Sequence, residues 1–417
     1  MAYEGTSIKN VFSVSNYRYY FTAQTFSLIG TWMYSTAMSW LVWRITGSAT
    51  IVGSVGFIGR IPALVFSYPA GVVADRVDIK KALYITQSFT MILAFIIAVL
   101  TLSGSVKIWH VISVSFMLGV LGSFDMPFRQ SFIMQIVPRK LLHSAIALNS
   151  VMFNVSRIIG STIAGFVVKY AGEGWCFLIN ALSYFAILFA LAKIKTLEKV
   201  REKEKDFLKS FIDGISYIKN TPYIKYPILH MFLLSFVIMP VITMMPVYVK
   251  KMNGDARTLG FFMSCIGIGA ILGGLSLASK SKANKYTKMV NLFSTLYGVS
   301  LFLLSVSRNI YFSCFFLLLT GISSSRQVVG INTIIQSLVS EDMRGRVVSI
   351  YSLSFIGLGP FGNLIWGYIS AKYTIDTTLL LSSLWVISSN LIFYINMLNV
   401  KKRLFISEEK KPEYDIL

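Results

Sequence analysis

Apolar runs of about 20 residues recur from one end of this chain to the other, the length a helix needs to cross the hydrocarbon of a bilayer. They lie at 19–43, 51–74, 83–102, 108–137, 142–168 and 175–192, and again at 226–249, 259–279, 289–306, 310–338, 347–373 and 377–400. In lipid a backbone must satisfy its own polar groups, so runs like these fold as helices. The expected fold is an all-α membrane protein with twelve transmembrane helices in two six-helix pseudo-symmetric bundles. With 55% hydrophobic residues, 14% charged residues and a mean hydropathy of +0.65, the chain is too apolar for a soluble domain.

The charge balance, 39 Lys+Arg against 18 Asp+Glu, would suggest nucleic acid in a soluble protein. Here the basic residues gather in alternate short connections: Arg76, Lys80 and Lys81; Arg139 and Lys140; Lys280, Lys282, Lys285 and Lys288; Arg344 and Arg346; and Lys401, Lys402 and Arg403 after the last run. That pattern orients a polytopic protein against anionic lipid, placing both termini on the cytoplasmic side. The lipid bilayer is the expected partner, and nucleic acid is not. Cys176, Cys265 and Cys314 lie inside apolar runs without metal-ligand spacing, and His110, His143 and His230 are scattered. No metal or cofactor is expected. No cleavable leader is evident, because the first run is long and interrupted by polar residues. The chain lacks a phosphate-binding loop, and the string Gly267 to Gly274 reads as close helix packing in the membrane. It also lacks a nucleophile, acid and base set with recognisable spacing, so it is not expected to be an enzyme.

One long polar stretch divides the runs. The expected division is an N-terminal six-helix bundle at 1–193, a cytoplasmic linker with an amphipathic helix at 194–225, a C-terminal six-helix bundle at 226–400 and a cytoplasmic tail at 401–417. In the linker Phe211, Ile215 and Ile218 recur at helical spacing beside Lys209, Asp213 and Lys219, as in a helix lying on a membrane surface. A repeat at an offset of about 200 residues relates the halves, carrying Gln135 near Gln336, Ser150 near Ser352 and Gly71 onto Gly273 and Gly274. The charge of the island after Gly71 does not repeat: Ala74, Asp75 and Arg76 fall near Ser276 to Ala278.

That island resembles the signature loop between helices 2 and 3 of the major facilitator superfamily of secondary transporters. Further motifs narrow the resemblance to the enterobactin-exporter-like branch. They are Gly30-Thr31-Trp32-Met33, Ser39 to Trp43, Thr46-Gly47-Ser48, Asp125-Met126-Pro127-Phe128-Arg129-Gln130, Asn149-Ser150 with Asn154 and Arg157, Met343 to Val347, and Tyr351-Ser352-Leu353. The resemblance covers nearly the whole chain. It implies an inner-membrane exporter working by alternating access, with proton antiport as the candidate driving force. The sequence departs from the pattern at Ser161, where many relatives have proline, and in carrying no acid in the first span.

The expected cytoplasmic gate comprises Gly71, Asp75 and Arg76 in the island, Asp125 and Arg129 in the fourth span, and Arg346 at the start of the eleventh. An acid there can sit against the positive end of a facing helix. Asp125 and Arg129, four apart and inside a span, can pair, and three readings stay open: a relay with Arg76, a proton-titrating carboxylate, or a static pair. Asp125 is the first candidate for proton coupling. In this superfamily helices 1, 4, 7 and 10 line the cavity, so polar stripes on the first and tenth spans, with arginines elsewhere in the membrane, give a candidate substrate cavity of Gln24, Thr31, Trp32, Arg60, Asn154, Arg157, Arg326 and Thr333. Arginines without nearby acids favour an anionic small-molecule substrate over simple snorkelling. The expected function is export of a small organic compound, siderophore-like or drug-like, by a monomer. Two alternatives remain: a lipid or lysolipid flippase, and a membrane sensor or scaffold that does not transport.

Overall fold

The computed structural model describes residues 8–194, 207–275 and 283–407. Outside them lie Lys280 and Lys282 and residues 195–206 and 408–417, as do the side chains of Asp75, Arg139, His143, Lys209, Lys285, Lys402 and Arg403. Among the described residues the regular elements are all helices. The first six long ones are α1 (Ser15–Thr46), α2 (Ala49–Arg76), α3 (Ile79–Leu102), α4 (Ile108–Ile136), α5 (Leu142–Tyr170) and α6 (Glu173–Lys193). The next are α7 (Pro222–Thr243), α8 (Ala256–Leu275), α9 (Ala283–Val306), α10 (Ile310–Leu338), α11 in two pieces (Arg344–Ile356 and Gly359–Lys372) and α12 (Ile375–Ser407). A helix at Phe207–Asn220 precedes α7, and a short one at Met245–Lys251 follows it. Among the described residues eleven helices are long and apolar enough to cross a membrane. The remaining long helix, α1, spans 32 residues but carries Asn16, Arg18, Gln24, Thr25 and Ser27 in its first half. The fold is the expected all-α membrane architecture.

Helix ends follow local chemistry. Gly47 adopts φ 57° and closes α1, its N–H reaching the Trp43 carbonyl at 2.8 Å. Ser48 caps α2, and Asp78 within the charged island caps α3 by accepting from the Lys81 N–H at 3.2 Å. Asn309 caps α10, accepting from the Tyr311 N–H at 2.8 Å.

The chain forms two compact units, Met1–Lys203 with Asn253–Ser264, and Glu204–Met252 with Cys265–Leu417. In the first unit Tyr17, Tyr20, Phe132 and Tyr184 are central to a buried core, with the Tyr17 hydroxyl donating to the Ala145 carbonyl at 3.1 Å. The start of α8 also belongs to this unit and packs backbone to backbone on α5. A Cβ built on Gly260 would lie 2.8 Å from the Ser161 carbonyl, and one on Gly165 2.9 Å from that of Ala256. Thr162 and Ser264 hydrogen-bond across this seam. Lys169 at the end of α5 pairs with Asp255 at 3.1 Å. Burial alone would raise the Asp255 carboxyl, but hydrogen bonds from Lys169, the Thr258 backbone and Arg257 outweigh it and hold the group at about 2.

In the second unit the glycine string of α8 lies against α10. A Cβ on Gly269 would meet the Leu318 carbonyl, and one on Gly273 the Ile322 carbonyl at 2.6 Å. Pro240 within α7 has no N–H for the carbonyl of Phe236, one turn earlier. The Trp366 indole N–H takes that carbonyl at 2.8 Å. Where α11 breaks after Ile356, the Leu358 N–H finds the Ser235 hydroxyl at 2.9 Å. The repeat is also visible in charge. Arg44 at the end of α1 pairs with Glu173 at the start of α6 at 2.6 Å. In the second unit Lys251 and Arg308 converge on Asp376 at the start of α12, with Arg308 at 2.8 Å.

Candidate functional site

Inside the first unit, α1, α3, α4 and α6 meet around a charged pair. Asp125 and Arg129 stack one turn apart on α4, so the Arg129 Nε donates to Asp125 Oδ2, with the two side chains 16% and 21% exposed respectively. From α3 the Gln87 side-chain amide donates to the other carboxylate oxygen, Oδ1, and the Thr86 hydroxyl reaches the same oxygen at 3.4 Å. Tyr20 on α1 and Tyr184 on α6 feel both charges, and the Tyr184 hydroxyl meets the side chains of Thr31 and Asn180. Thr31 donates its own hydroxyl proton to the Ser27 carbonyl at 2.9 Å. Gly30 allows this closeness, since a Cβ there would stand 2.6 Å from Ser183 Oγ and 3.0 Å from Asn180. Four polar atoms on buried residues of this interior have no hydrogen-bond partner among the described residues: Gln24 Nε2, Ser27 Oγ, Gln87 Oε1 and Asn180 Oδ1.

A second cluster joins α1 to α5. Arg157 donates to Asn154 Oδ1 at 3.0 Å, and its guanidinium lies 5.7 Å from the centre of the Trp32 ring. Phe153 meets the same ring edge-on at 5.3 Å. Gly160 permits the approach, because a Cβ there would fall 2.8 Å from Trp32 Cβ. Ser161, the departure from the proline pattern, accepts a hydrogen bond from the Thr36 hydroxyl at 3.0 Å and is buried. Two buried donors, Trp32 Nε1 and Arg157 Nε, are unpartnered among the described residues. A cation, an indole N–H and an aromatic face together suit an acceptor-rich, partly planar anion.

The remaining expected residues are distributed as follows. Gln24 is buried in α1, and Arg60 is partly buried in α2. Among the described residues nothing lies within 4 Å of a Cβ built at Gly71. Arg76 ends α2 and is exposed, while the Asp75 side chain lies outside the described residues. In the second unit the Arg326 guanidinium sits 4.5 Å from the Phe293 ring centre, and Thr333 spends its hydroxyl on the Val329 carbonyl of its own helix at 2.8 Å. Arg346 is engaged by Asp213 of the Phe207–Asn220 helix at 3.3 Å. Gly214 of that helix lies against Arg346 and Ile350, and Tyr217 accepts from the Ser340 N–H at 3.4 Å, so α11 packs on one of its faces while Ile212 and Ile215 stay exposed.

Several participants escape a search for charges alone. Gln87, Tyr20, Tyr184 and Asn180 are neutral, as are Ser294 and Gln327 in the second unit, where Ser294 donates to Gln327 and also bonds to His230. For Gln87, Asn180 and Gln327 the signal is a side-chain amide within an apolar run, which demands a partner in lipid much as a charge does.

A model of the family described as "Transmembrane secretion effector" matches residues 7–415. The chain is 28% identical to the staphyloferrin A transporter of Staphylococcus aureus, covering 94% of this chain and 98% of that protein. It is 22% identical to the multidrug efflux pump Tap of Mycolicibacterium fortuitum over 84% of this chain and 87% of that one. For the enterobactin exporter EntS of Escherichia coli the figures are 23%, 81% and 79%. Among solved structures, a bacterial homolog of the human lysosomal transporter Spinster superposes with a TM-score of 0.73 at 12% identity, covering 94% of this chain and 97% of that one. This chain belongs to the transmembrane secretion effector family of the major facilitator superfamily, and is a secondary transporter, not an enzyme.

Proposed function

We propose that this transporter exports a small organic anion, siderophore-like or drug-like, in exchange for protons carried by Asp125. The observation that carries the anionic reading is the α1–α5 cluster, where Arg157 and Trp32 hold buried donors that no acceptor among the described residues meets. Such donors are costly unless a ligand or water supplies acceptors. The family relatives named for siderophores and for drugs support small organic cargo. The basic connections support cytoplasmic termini and an inner-membrane location, with a monomer in which 1–193 and 226–400 rock about the substrate. Gly71, Asp75, Arg76, Asp125, Arg129 and Arg346 are the proposed cytoplasmic gate. Gln24, Thr31, Trp32, Arg60, Asn154, Arg157, Arg326 and Thr333 are the proposed substrate cavity.

Counterflow in proteoliposomes tests this reading, with carboxylate- and catecholate-bearing siderophores set against neutral and cationic drugs. Arg157→Gln is expected to weaken transport of the anionic compounds about 10- to 100-fold, the worth of a charge-assisted hydrogen bond, and to spare the others. Equal loss for all compounds removes the anionic reading, and no counterflow with any compound removes export of this cargo class. Asp125→Asn is expected to abolish pH-gradient-driven uptake into inverted vesicles. Unchanged uptake takes Asp125 out of the proton route.

A further inference from the structure

The two oxygens of Asp125 differ in what they ask of their partners. Oδ2 accepts from Arg129, which can only donate. That bond suits a carboxylate and equally the carbonyl oxygen of a neutral carboxylic acid, so it survives a change of protonation. Oδ1 accepts from the Gln87 amide N–H, a bond that favours the anion. If Oδ1 gains a proton it becomes an O–H donor that needs an acceptor, which an N–H facing it cannot supply. The same side chain carries the remedy. Gln87 Oε1 is buried and has no partner among the described residues, and a half-turn of the amide would set it in place of Nε2. The Thr86 hydroxyl, 3.4 Å from Oδ1 and 3.2 Å from the Leu83 carbonyl, can also donate or accept there, but it is the more distant partner, and Gln87 is the one whose unused acceptor is buried beside the carboxyl.

We infer that Gln87 is a positioning residue that serves both protonation states of Asp125, donating to the carboxylate and accepting from the carboxylic acid by rotation of its amide. The inference rests on the proposed role of Asp125 in proton exchange. In the step, one O–H bond forms at Oδ1 with a proton delivered by water, and the same bond breaks when the proton is returned to water on the other side. Arg129 stays on Oδ2 throughout, and no other bond is made or broken. The titratable groups facing the carboxylate are Arg129 on its own helix, Tyr20 on α1 and Tyr184 on α6. Of the charged groups on the other helices packed against α4, α2 brings Arg60 and Arg76. Lys81 at the start of α3 is exposed, and Lys80 is turned to the Ile194 carbonyl at 2.8 Å.

Two variants and one spectroscopic measurement test this on the full-length protein. Gln87→Glu places two carboxyls at hydrogen-bonding distance, where they share a proton, and is expected to move the pH profile of gradient-driven transport to the alkaline side by about one unit or more. Gln87→Leu offers neither donor nor acceptor and is expected to slow transport at least about 10-fold. Loss of rate in both variants with an unmoved profile overturns the inference, since Gln87 then merely ties α3 to α4. Infrared difference spectra of the wild-type protein in nanodiscs, recorded on acidification, need no variant to transport. The expected result is a protonated-carboxyl band, missing in Asp125→Asn, that rises together with a shifted glutamine amide band missing in Gln87→Leu. A carboxyl band without the amide shift overturns the role of Gln87 alone. Absence of the carboxyl band, or normal coupled transport by Asp125→Asn, overturns the reading of Asp125 on which it rests.

Discussion

Asp255 shows how one side chain can fix a helix start and a helix pair together. Its Oδ1 accepts from the backbone N–H groups of Arg257 and Thr258, and its Oδ2 pairs with Lys169 on α5. These partners hold its carboxyl at about 2, below the ordinary 3.8. A folded-state value below the unfolded one adds stability that is complete above the ordinary carboxylate range and lost as pH falls through the folded value. Asp255→Asn is therefore expected to lower stability at neutral pH by about 0.5–1 kcal/mol, after discounting for solvent screening of a partly exposed pair. The variant should also lack the further loss that the wild type shows between about pH 4 and about pH 2. Thermal unfolding in detergent at neutral and acid pH checks both. Ser161→Ala leaves the buried Thr36 hydroxyl without its partner and is expected to cost about 1–3 kcal/mol in the same assay. At this scale the charged residues were legible from spacing, Asp125 with Arg129 and Asn154 with Arg157, because helical geometry sets i, i+4 and i, i+3 neighbours. Gln87 was not, because its partner comes from another helix and local spacing holds no record of which helices meet.

Helices were the most legible level, since length and apolarity mark each span. Breaks are set by proline and glycine, and the structure adds what makes them tolerable in lipid. Trp366 supplies the Phe236 carbonyl with the donor that Pro240 lacks, and Ser235 supplies the Leu358 N–H with an acceptor. Trp366→Phe keeps the ring and removes the N–H, so about 1–3 kcal/mol of stability is expected to be lost, measurable by thermal unfolding. The glycine string of α8 was legible as a packing surface, though the helix it serves, α10, was not. The Phe207–Asn220 helix was legible as amphipathic, but Asp213 and Gly214 point to a partner the periodicity alone could not name. Periodicity reports which residues share a face, and the neighbour decides what covers it.

At the scale of the molecule, the two units repeat a plan and vary its chemistry. Each ties its first long helix region to its last through an acid at the start of the latter, Glu173 in one and Asp376 in the other. Each also buries a polar network across its first, third and fourth helices. The first unit builds this network around a carboxylate and the second around His230, Ser294 and Gln327. The repeat was legible as an offset of about 200 residues, and so was its asymmetry at the charged island. What the offset did not reveal is that the start of α8, residues 253–264, belongs with the first unit. This has a consequence for how the protein is made. When the ribosome reaches residue 203 the first bundle is still missing a piece, and that piece is synthesised about fifty residues later, after α7. A fragment ending at residue 203 leaves Gly165, Thr162 and Lys169 of α5 without their counterparts, and is expected to be cleared by membrane proteases when expressed alone. Co-expression with the rest of the chain should restore its level, as read by immunoblot of the membrane fraction. Translation of the second half thus begins before assembly of the first can end.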